Sequence, residues 1–125
     1  MKVISIKQPW ASLIIYGYKE YEFRSWKTNY RGELFIHASK SYNKKDLELF
    51  KDYNIPFDTG CIIGSVNLDE CILLDKEKSD VIHNKNPYVY LHPYDSKYAW
   101  KVSNPKKTSK IYVNGRLNIW EYEKK

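Results

Sequence analysis

Residues 8–28 read QPWASLIIYGYKEYEFRSWKT. This stretch joins the predicted helix with the clearest start and stop signals to the most densely charged segment of the chain. Pro9 suits the first position of a helix, where its missing N–H is not needed, and Gly17 suits the left-handed residue just past the end. Three apolar residues at i, i+3, i+4 spacing predict one buried face: Trp10, Leu13 and Ile14. The stretch therefore predicts a short helix that ends at Gly17.

An extended, alternating segment follows this helix. From Glu20 onward, Glu22 and Arg24 fall on the same side as Glu20, and aromatic residues fall on the other side. Lys19 is out of phase with this pattern and meets Glu22 only if the chain bends after Gly17. A solvated strand face is one interpretation of such dense charge. Because apolar segments flank it on both sides, we favour the edge of a pocket.

The remaining segments predict a mostly β chain. Further strands are expected at residues 3–6, 33–38, 60–68, 88–91, 98–102 and 117–122. A second helix is expected over residues 44–53 with Asn43 as its N-cap, and residues 75–87 are expected to form a loop with at most one helical turn. These elements predict an α+β fold: a strongly bent mixed sheet or partly closed barrel of about six to seven strands with two helices.

Composition favours a single globular domain over residues 1–125, since 42% of the residues are hydrophobic. No run approaches the roughly 18 apolar residues of a membrane span, and the N-terminus lacks a signal peptide, so a cytoplasmic location is predicted. Cys61 and Cys71 lack metal-ligand spacing and are expected to be buried free thiols. The histidines, at positions 37, 83 and 92, have no such spacing either, so no metal or other cofactor is expected.

Basic residues concentrate in two places. Six lie between Lys97 and Arg116 without an acidic residue among them: Lys97, Lys101, Lys106, Lys107, Lys110 and Arg116. A second group follows the charged segment: Lys27, Arg31, Lys40, Lys44 and Lys45. With a formal net charge of +6, these groups fit either a polyanionic partner or a solubilising surface.

Three blocks of sequence resemble the ASCH family, which is named for a homology region in a transcriptional coactivator. The blocks are Gln8-Pro9-Trp10-Ala11-Ser12-Leu13-Ile14, then Gly17-x-Lys19-x-x-Glu22-x-Arg24-Ser25-Trp26, then Arg31-Gly32-x-Leu34-x-Ile36-His37-Ala38-Ser39. Later landmarks agree, including Gly60 to Gly64, Tyr98 to Trp100 and Gly115 to Trp120. The resemblance covers nearly the whole chain and implies a PUA-like β-barrel.

The resemblance implies binding of RNA or other nucleic acid in a cleft where the first helix meets the barrel. One bacterial branch of the family hydrolyses N4-acetylcytidine, and other members have been assigned ribonuclease activity. In that amidohydrolase branch the motif is Gly-x-Lys-x-x-Thr-x-Arg, with catalytic lysine and threonine and a later glutamate. This chain keeps the lysine as Lys19 and the arginine as Arg24, but has Glu22 in place of the threonine. Glu70 is the candidate for the later glutamate.

Lys19 and Glu22 support three interpretations. As a charged pair they are suited to holding a ligand, or they form a purely structural ion pair. Alternatively, Glu22 activates a water as general base while Lys19 stabilises the developing oxyanion. The last scheme describes a metal-independent hydrolase acting on a modified nucleoside or on RNA.

The preferred hypothesis is a binding protein for RNA, single-stranded nucleic acid or a nucleotide. Arg24 offers a planar donor fork for a phosphate or a guanine edge, or else pairs with Glu22 or Glu20. Trp26 is the better candidate for base stacking, whereas Trp10 is expected in the core. The candidate binding residues are Lys19, Glu22, Arg24, Ser25, Trp26, Arg31, His37 and Lys40. The basic segment at Lys106, Lys107 and Lys110 is expected to contact the nucleic-acid backbone with Arg31 and Lys40.

Overall fold

The computed structural model describes residues 1–91 and 93–123, and six strands in this part of the chain form one mixed sheet. The strands are β1 (Lys2–Gln8), β2 (Tyr21–Arg24), β3 (Gly32–Tyr42), β4 (Cys61–Leu73), β5 (Tyr98–Tyr112) and β6 (Ile119–Glu121). Their order across the sheet is β2-β5-β4-β3-β1-β6. β1 runs parallel to β3, and the other neighbouring pairs are antiparallel. His92 lies outside the described residues.

The helices are α1 (Trp10–Ile15), α2 (Lys44–Glu48) and α3 (Lys76–Lys85). The α+β class predicted from the sequence is confirmed: the sheet has six strands, within the expected six to seven, and there is one helix more than the two expected. None of these helices is long and apolar enough to cross a membrane. Cys61 is buried, Cys71 is half-buried, and both are free thiols as predicted.

The punctuation of α1 agrees with the sequence. Gly17 has a φ of +84°, the Gly17 N–H donates to the Ile14 carbonyl at 3.1 Å, and the Tyr18 N–H donates to the Leu13 carbonyl at 2.9 Å. This pair of bonds is the Schellman arrangement, which satisfies the last carbonyls of a helix and turns the chain away from its axis. At the other end, the Ser12 N–H donates to Oε1 of buried Gln8 at 3.0 Å. Both ends of α1 are therefore fixed, and so is the direction in which the charged segment leaves it.

The sheet curls so that β1 approaches β2. An Arg24 Nη2–H group on β2 donates to the Ser5 carbonyl on β1 at 2.8 Å, although three strands separate β2 from β1 across the sheet. Apolar side chains fill the space inside this curl, and α1 covers it; the buried members of this cluster include Ile4, Ile6, Ile14, Leu34, Ile36, Leu68 and Trp100. Two smaller clusters lie beside it, one around Leu13 and Phe50 and one around Ile62 and Trp120. Burial of about ten such side chains, each worth roughly 1.5–3 kcal/mol, is what opposes the loss of chain entropy.

The loop predicted at residues 75–87 and the strand predicted at 88–91 are both wrong. Residues 76–85 form α3, because Asp75 caps its N-terminus by accepting from the Lys78 N–H at 2.8 Å. Residues 87–90 form a turn, since Oδ1 of Asn86 accepts from two successive backbone N–H groups, at Tyr88 and Val89. Those N–H groups are therefore not available for a sheet ladder.

Other element boundaries also differ from the prediction; β3 and β4 run past their expected ends at residues 38 and 68, to Tyr42 and Leu73. The strand expected at 98–102 continues to Tyr112, because an irregularity in the β4–β5 register absorbs Asn104 and Pro105. The helix expected over 44–53 ends at Glu48 and resumes as a 3₁₀ turn at Lys51–Tyr53. Strand β6 starts only after Asn118, whose φ of +61° is outside the extended range, so residues 113–118 form a loop.

Candidate functional site

Lys19 is buried at the start of the charged segment. Its side chain is only 3% exposed, and Nζ donates to the Tyr21 carbonyl and to Oε1 of Glu22, the latter at 3.4 Å. Aromatic rings surround the ammonium, with the Phe23 centroid 4.7 Å and the Tyr90 centroid 5.8 Å away. Burial lowers the pKa of Lys19 below its usual value of 10.5, and the Glu22 carboxylate opposes that shift. The bend after Gly17 brings Lys19 to Glu22, as predicted.

Glu22 connects Lys19 to Arg24. It is 8% exposed on β2, and while Oε1 faces Lys19, Oε2 accepts from Arg24 Nη2 at 3.0 Å. The alternation predicted from the sequence places Glu22 and Arg24 on the same side of the strand, which is what this contact requires. Tyr90 supports the segment from outside, because its hydroxyl oxygen accepts from the Glu20 N–H at 2.8 Å. We call the linked side chains of Lys19, Glu22 and Arg24 the charged triad.

Arg24 retains hydrogen-bonding capacity. Its Nη2 bonds to Glu22 and to the Ser5 carbonyl, but Nε is buried and has no hydrogen-bond partner among the described residues. A buried donor without a partner is uncommon in folded proteins and costs roughly 1–3 kcal/mol. The Arg24 side chain is 23% exposed and lines a cleft, so an acceptor from a ligand is a candidate partner for this group.

His37 lies in the same cleft, fixed by β1 and by the loop before β6. Its Nδ1 lies 3.0 Å from the Ser5 hydroxyl and its Nε2 lies 2.7 Å from the Val113 carbonyl. Because a carbonyl only accepts, Nε2 carries the hydrogen, and Nδ1 accepts from Ser5 when the ring is neutral. Burial lowers the pKa of His37, and Lys40 adds to the effect. His37 is thus held as a neutral ring.

The loop of residues 113–118 covers this histidine closely. A Cβ on Gly115 would lie 2.6 Å from the Ser5 hydroxyl oxygen and 2.8 Å from Cε1 of His37, so only glycine fits without displacing them. Lys40 reaches across to the same loop, where Nζ donates to Oδ1 of Asn114 at 3.2 Å. Arg116 is exposed on the loop and also lines the cleft. The loop thus forms a basic rim.

The cleft enclosed by these groups has a volume of about 740 Å³, enough for a nucleotide-sized ligand. The charged triad and His37 lie on one side, and Trp10, Phe23, Val89 and Leu91 supply apolar walls. Trp10 was predicted to be a core residue. It does pack on buried Phe50, with centroids 5.7 Å apart, but it also lines the cleft. Asp95 is an acidic residue on the rim.

Four candidates from the sequence line this cleft besides Lys19: Glu22, Arg24, His37 and Lys40. The other three, which are Ser25, Trp26 and Arg31, are not among its described lining residues. Trp26 packs edge-on against Trp100 with centroids 4.8 Å apart, and Arg31 Nη1 donates to the Thr28 and Tyr30 carbonyls. Glu70 is exposed on β4 opposite Lys101 and is not among the described lining residues either.

Sequence reasoning missed Ser5, Gly115 and Arg116 as parts of the site. Ser5 is the register partner of His37 in the parallel β1–β3 pair, so correct pairing of those two strands would have placed it beside the histidine. Among residues 1–91 and 93–123, no group of three or more His, Cys, Asp or Glu side chains is arranged to hold a metal ion. The cleft therefore offers fixed charges, one neutral imidazole and aromatic surface.

Comparison of the sequence with curated proteins finds relatives along nearly its whole length. Over 98% of the chain it is 30% identical to Activating signal cointegrator 1 from Homo sapiens. It is 28% identical to the protein of the same name from Mus musculus. Each alignment covers 22% of the relative, so the chain spans less than a quarter of the length of these proteins.

Solved structures with the same fold come from Zymomonas mobilis. The crystal structure of ASCH from that organism has a TM-score of 0.58 at 15% identity, covering 90% of this chain and 72% of that one. Its S128A mutant has a TM-score of 0.59 at 15% identity, covering 90% and 73%. A profile of the ASCH domain matches residues 4–112, which include the charged triad and His37. The chain belongs to the ASCH domain family.

Proposed function

We propose that the cleft binds one nucleotide unit of RNA or of another single-stranded nucleic acid. The observation that carries this proposal is Arg24, whose side chain is 23% exposed at the cleft and whose Nε has no hydrogen-bond partner among the described residues. An acceptor on the ligand, either a phosphate oxygen or a base carbonyl, would satisfy it. Membership of the ASCH family is consistent with RNA binding.

Each remaining part of the cleft has a role in this proposal. Trp10 and Phe23 provide aromatic surface beside the triad, against which a base can pack. Glu22 has lone pairs left on its carboxylate after accepting from Lys19 and Arg24, so it can accept from the exocyclic amino group of a base. Lys19 lines the cleft, but two of its three N–H donors are taken by Tyr21 and Glu22, so its main role is to fix Glu22.

The rim supplies attraction for the backbone of the nucleic acid. Lys40 and Arg116 lie on the rim, where they can face phosphates entering the cleft. Asp95 also lies on the rim, and among the described residues it forms no ion pair with either of these cations. Binding through such exposed cations releases counterions, so the affinity should fall as salt is added.

The test is the affinity of a mixed-sequence RNA 8-mer, measured by fluorescence anisotropy for the wild type and for Arg24→Gln. Loss of one charge-assisted hydrogen bond, worth about 1.5–3 kcal/mol, should weaken binding on the order of 10- to 100-fold. Lys76→Gln, on an 86% exposed side chain of α3, is the control and should bind like the wild type. Thermal unfolding of each variant separates lost binding from lost folding. Equal affinities, or binding that does not respond to salt, would count against the proposal.

A hydrolase is the second candidate, and the lowered pKa of Lys19 beside Glu22 is what favours it. In that scheme Glu22 takes a proton from a water that attacks an amide or a phosphodiester, and Lys19 stabilises the oxyanion. Both groups are already engaged, since Lys19 donates to Tyr21 and Glu22 accepts from two cations. We therefore rank binding first. Incubation with N4-acetylcytidine or an RNA oligomer decides the matter: turnover that survives Lys19→Ala cannot come from this site.

A further inference from the structure

We propose that a second depression, next to the cleft, holds the nucleotide that adjoins the one in the cleft. The idea rests on the proposed function, because it extends the same ligand. The depression has a volume of about 540 Å³ and its described lining residues are Lys2, Trp26, Thr28, Tyr30, Asn118 and Ile119. We call it the flanking depression.

The flanking depression adjoins the cleft, because the two share a lining residue. Asn118 lines both, on the loop that precedes β6. Both cavities also lie between the same two edges of the curled sheet. On one side are β2 and the residues after it, and on the other side are β1 and β6. Arg24 and Ser5 border the space between these edges in the cleft, and Trp26 and Lys2 border it in the depression. A strand of nucleic acid that follows this space passes from one cavity into the other without crossing the sheet.

Trp26 gives the depression a surface on which a base can stack. Its ring meets that of Trp100 at an interplanar angle of 90°, with centroids 4.8 Å apart. Trp100 is fully buried, so it fixes the Trp26 ring in one orientation, while the half-buried Trp26 still lines the depression. A ring that is already fixed loses little further freedom when a base stacks on it. Tyr30 adds a second aromatic wall.

The charges around the depression suit a polyanion. Arg31 is not among the described lining residues, but its Nη1 donates to the carbonyls of Thr28 and Tyr30, two residues that do line the depression. Arg116 lies near the shared residue Asn118. Lys2 is paired with Glu121 at 2.7 Å and contributes less. None of the described lining residues is acidic.

The ligand class follows from these features. A base that stacks on Trp26 must be unpaired and turned out of a helix, so the ligand is single-stranded and at least two nucleotides long. A mononucleotide would fill the cleft alone. Trp26 and Arg31, two sequence candidates outside the cleft, then have a role as residues that recognise the flanking nucleotide.

The experiment compares competitors of increasing length against a fluorescently labelled mixed-sequence RNA 8-mer. The competitors are the four ribonucleoside monophosphates and mixed-sequence dinucleotides, at a constant salt concentration. If the flanking depression binds a base, dinucleotides should compete on the order of tenfold better than mononucleotides. The variant Trp26→Ile, which keeps apolar volume against Trp100, should lose most of that gain and keep the mononucleotide affinity. Trp26→Tyr should restore it.

Two further variants make the outcome decisive. Arg31→Gln does not disturb the Trp26–Trp100 contact and should also reduce the dinucleotide gain, so the proposal can be tested even if Trp26→Ile does not fold. Val81→Ala trims a 58% exposed side chain on α3, away from both cavities, and should change nothing. Equal competition by both lengths, or a gain that survives Trp26→Ile and Arg31→Gln, overturns the flanking depression but leaves the cleft. If mononucleotides bind equally well to wild type and Arg24→Gln, the proposed function itself fails.

Discussion

Two basic regions of this protein illustrate how differently buried and exposed charges behave. In the charged triad, Lys19 is 3% exposed and contacts Glu22, which also accepts from Arg24. In the outer part of β5, residues 104–110 are exposed. There Lys110 pairs with Asp58 at 3.1 Å, and Lys107 lies 4.2 Å from the ring centroid of Tyr16. Both regions looked like nucleic-acid contacts in the sequence.

The difference lies in what water does for each charge. The lysines of β5 keep most of their hydration, so their pairs are weak and are screened by salt. The triad has given up that hydration, and each of its members depends on the others to compensate. A cluster of this kind fixes a geometry, whereas exposed lysines provide only a long-range attraction. Specific recognition is therefore expected of the triad, and general affinity of β5.

The largest expected effect comes from removing the centre of the triad. Glu22→Leu would leave the ammonium of Lys19 buried without its carboxylate, which should lower the free energy of unfolding by about 3–5 kcal/mol. Chemical denaturation measures this directly. The matched control is Glu48→Leu, which breaks an exposed pair with Lys51 and should cost about 1 kcal/mol or less. Similar losses for both variants would show that burial does not distinguish the two pairs.

A second effect concerns the response of stability to alkaline pH. Burial lowers the pKa of Lys19 in the folded chain, whereas the unfolded chain keeps its proton up to about pH 10.5. Between these values the unfolded state binds more protons, so raising the pH stabilises the fold. The wild type should therefore gain stability relative to Lys19→Met between pH 7 and pH 10. A difference that stays constant or moves the other way would contradict the buried ammonium.

A smaller effect of the same sign is expected from His37 at acid pH. Its pKa is lowered in the fold from the usual 6.5, so below that value the unfolded state takes up the proton first. Stability should fall as the pH drops from 7 towards 5, and His37→Asn should fall less steeply over that range. Denaturation midpoints at several pH values test this. Parallel curves for the two proteins would exclude His37 as the cause.

The smallest effect on stability is expected for the exposed lysines of β5. Replacing Lys106, Lys107 and Lys110 together by glutamine should change the free energy of unfolding by about 1 kcal/mol or less. If these lysines touch nucleic-acid phosphates, the slope of log affinity against log salt should become shallower by about one for each phosphate left without its lysine. Since two of the three lysines are already engaged, we expect a change of no more than about one. A larger change in the slope would show that β5 is part of the binding surface.

Local patterns in the sequence were enough to predict the triad. The left-handed Gly17 and the period-two alternation of β2 act within a few residues, and together they bring Lys19, Glu22 and Arg24 side by side. The cap of α2 at Asn43 was predictable for the same reason. The cap of α3 at Asp75 was equally local, but its helix buries only Ser79 and Ile82 and so has almost no apolar period to reveal it.

The rest of the site depends on contacts between distant residues. Ser5 meets His37 only because β1 and β3 pair in parallel, and Gly115 reaches both from the other end of the chain. Trp26 was predicted to be the base-stacking residue of the cleft, but nothing local indicates that it rests on Trp100 outside the cleft. Strand register and the path of loops decide these contacts, and one sequence does not specify either by pattern alone.

The bond from Arg24 to the Ser5 carbonyl has a mechanical consequence. No backbone ladder joins β2 to β1, so at this point the curl of the sheet is held shut by a side chain. A backbone ladder resists opening along its whole length, but a single side-chain hydrogen bond can break and form again. A ligand bound between β1 and β2 would hold the two strands together. Slower amide hydrogen exchange in β2 and in the loop before β6 would then show that the cleft is occupied, whatever the chemistry of the ligand.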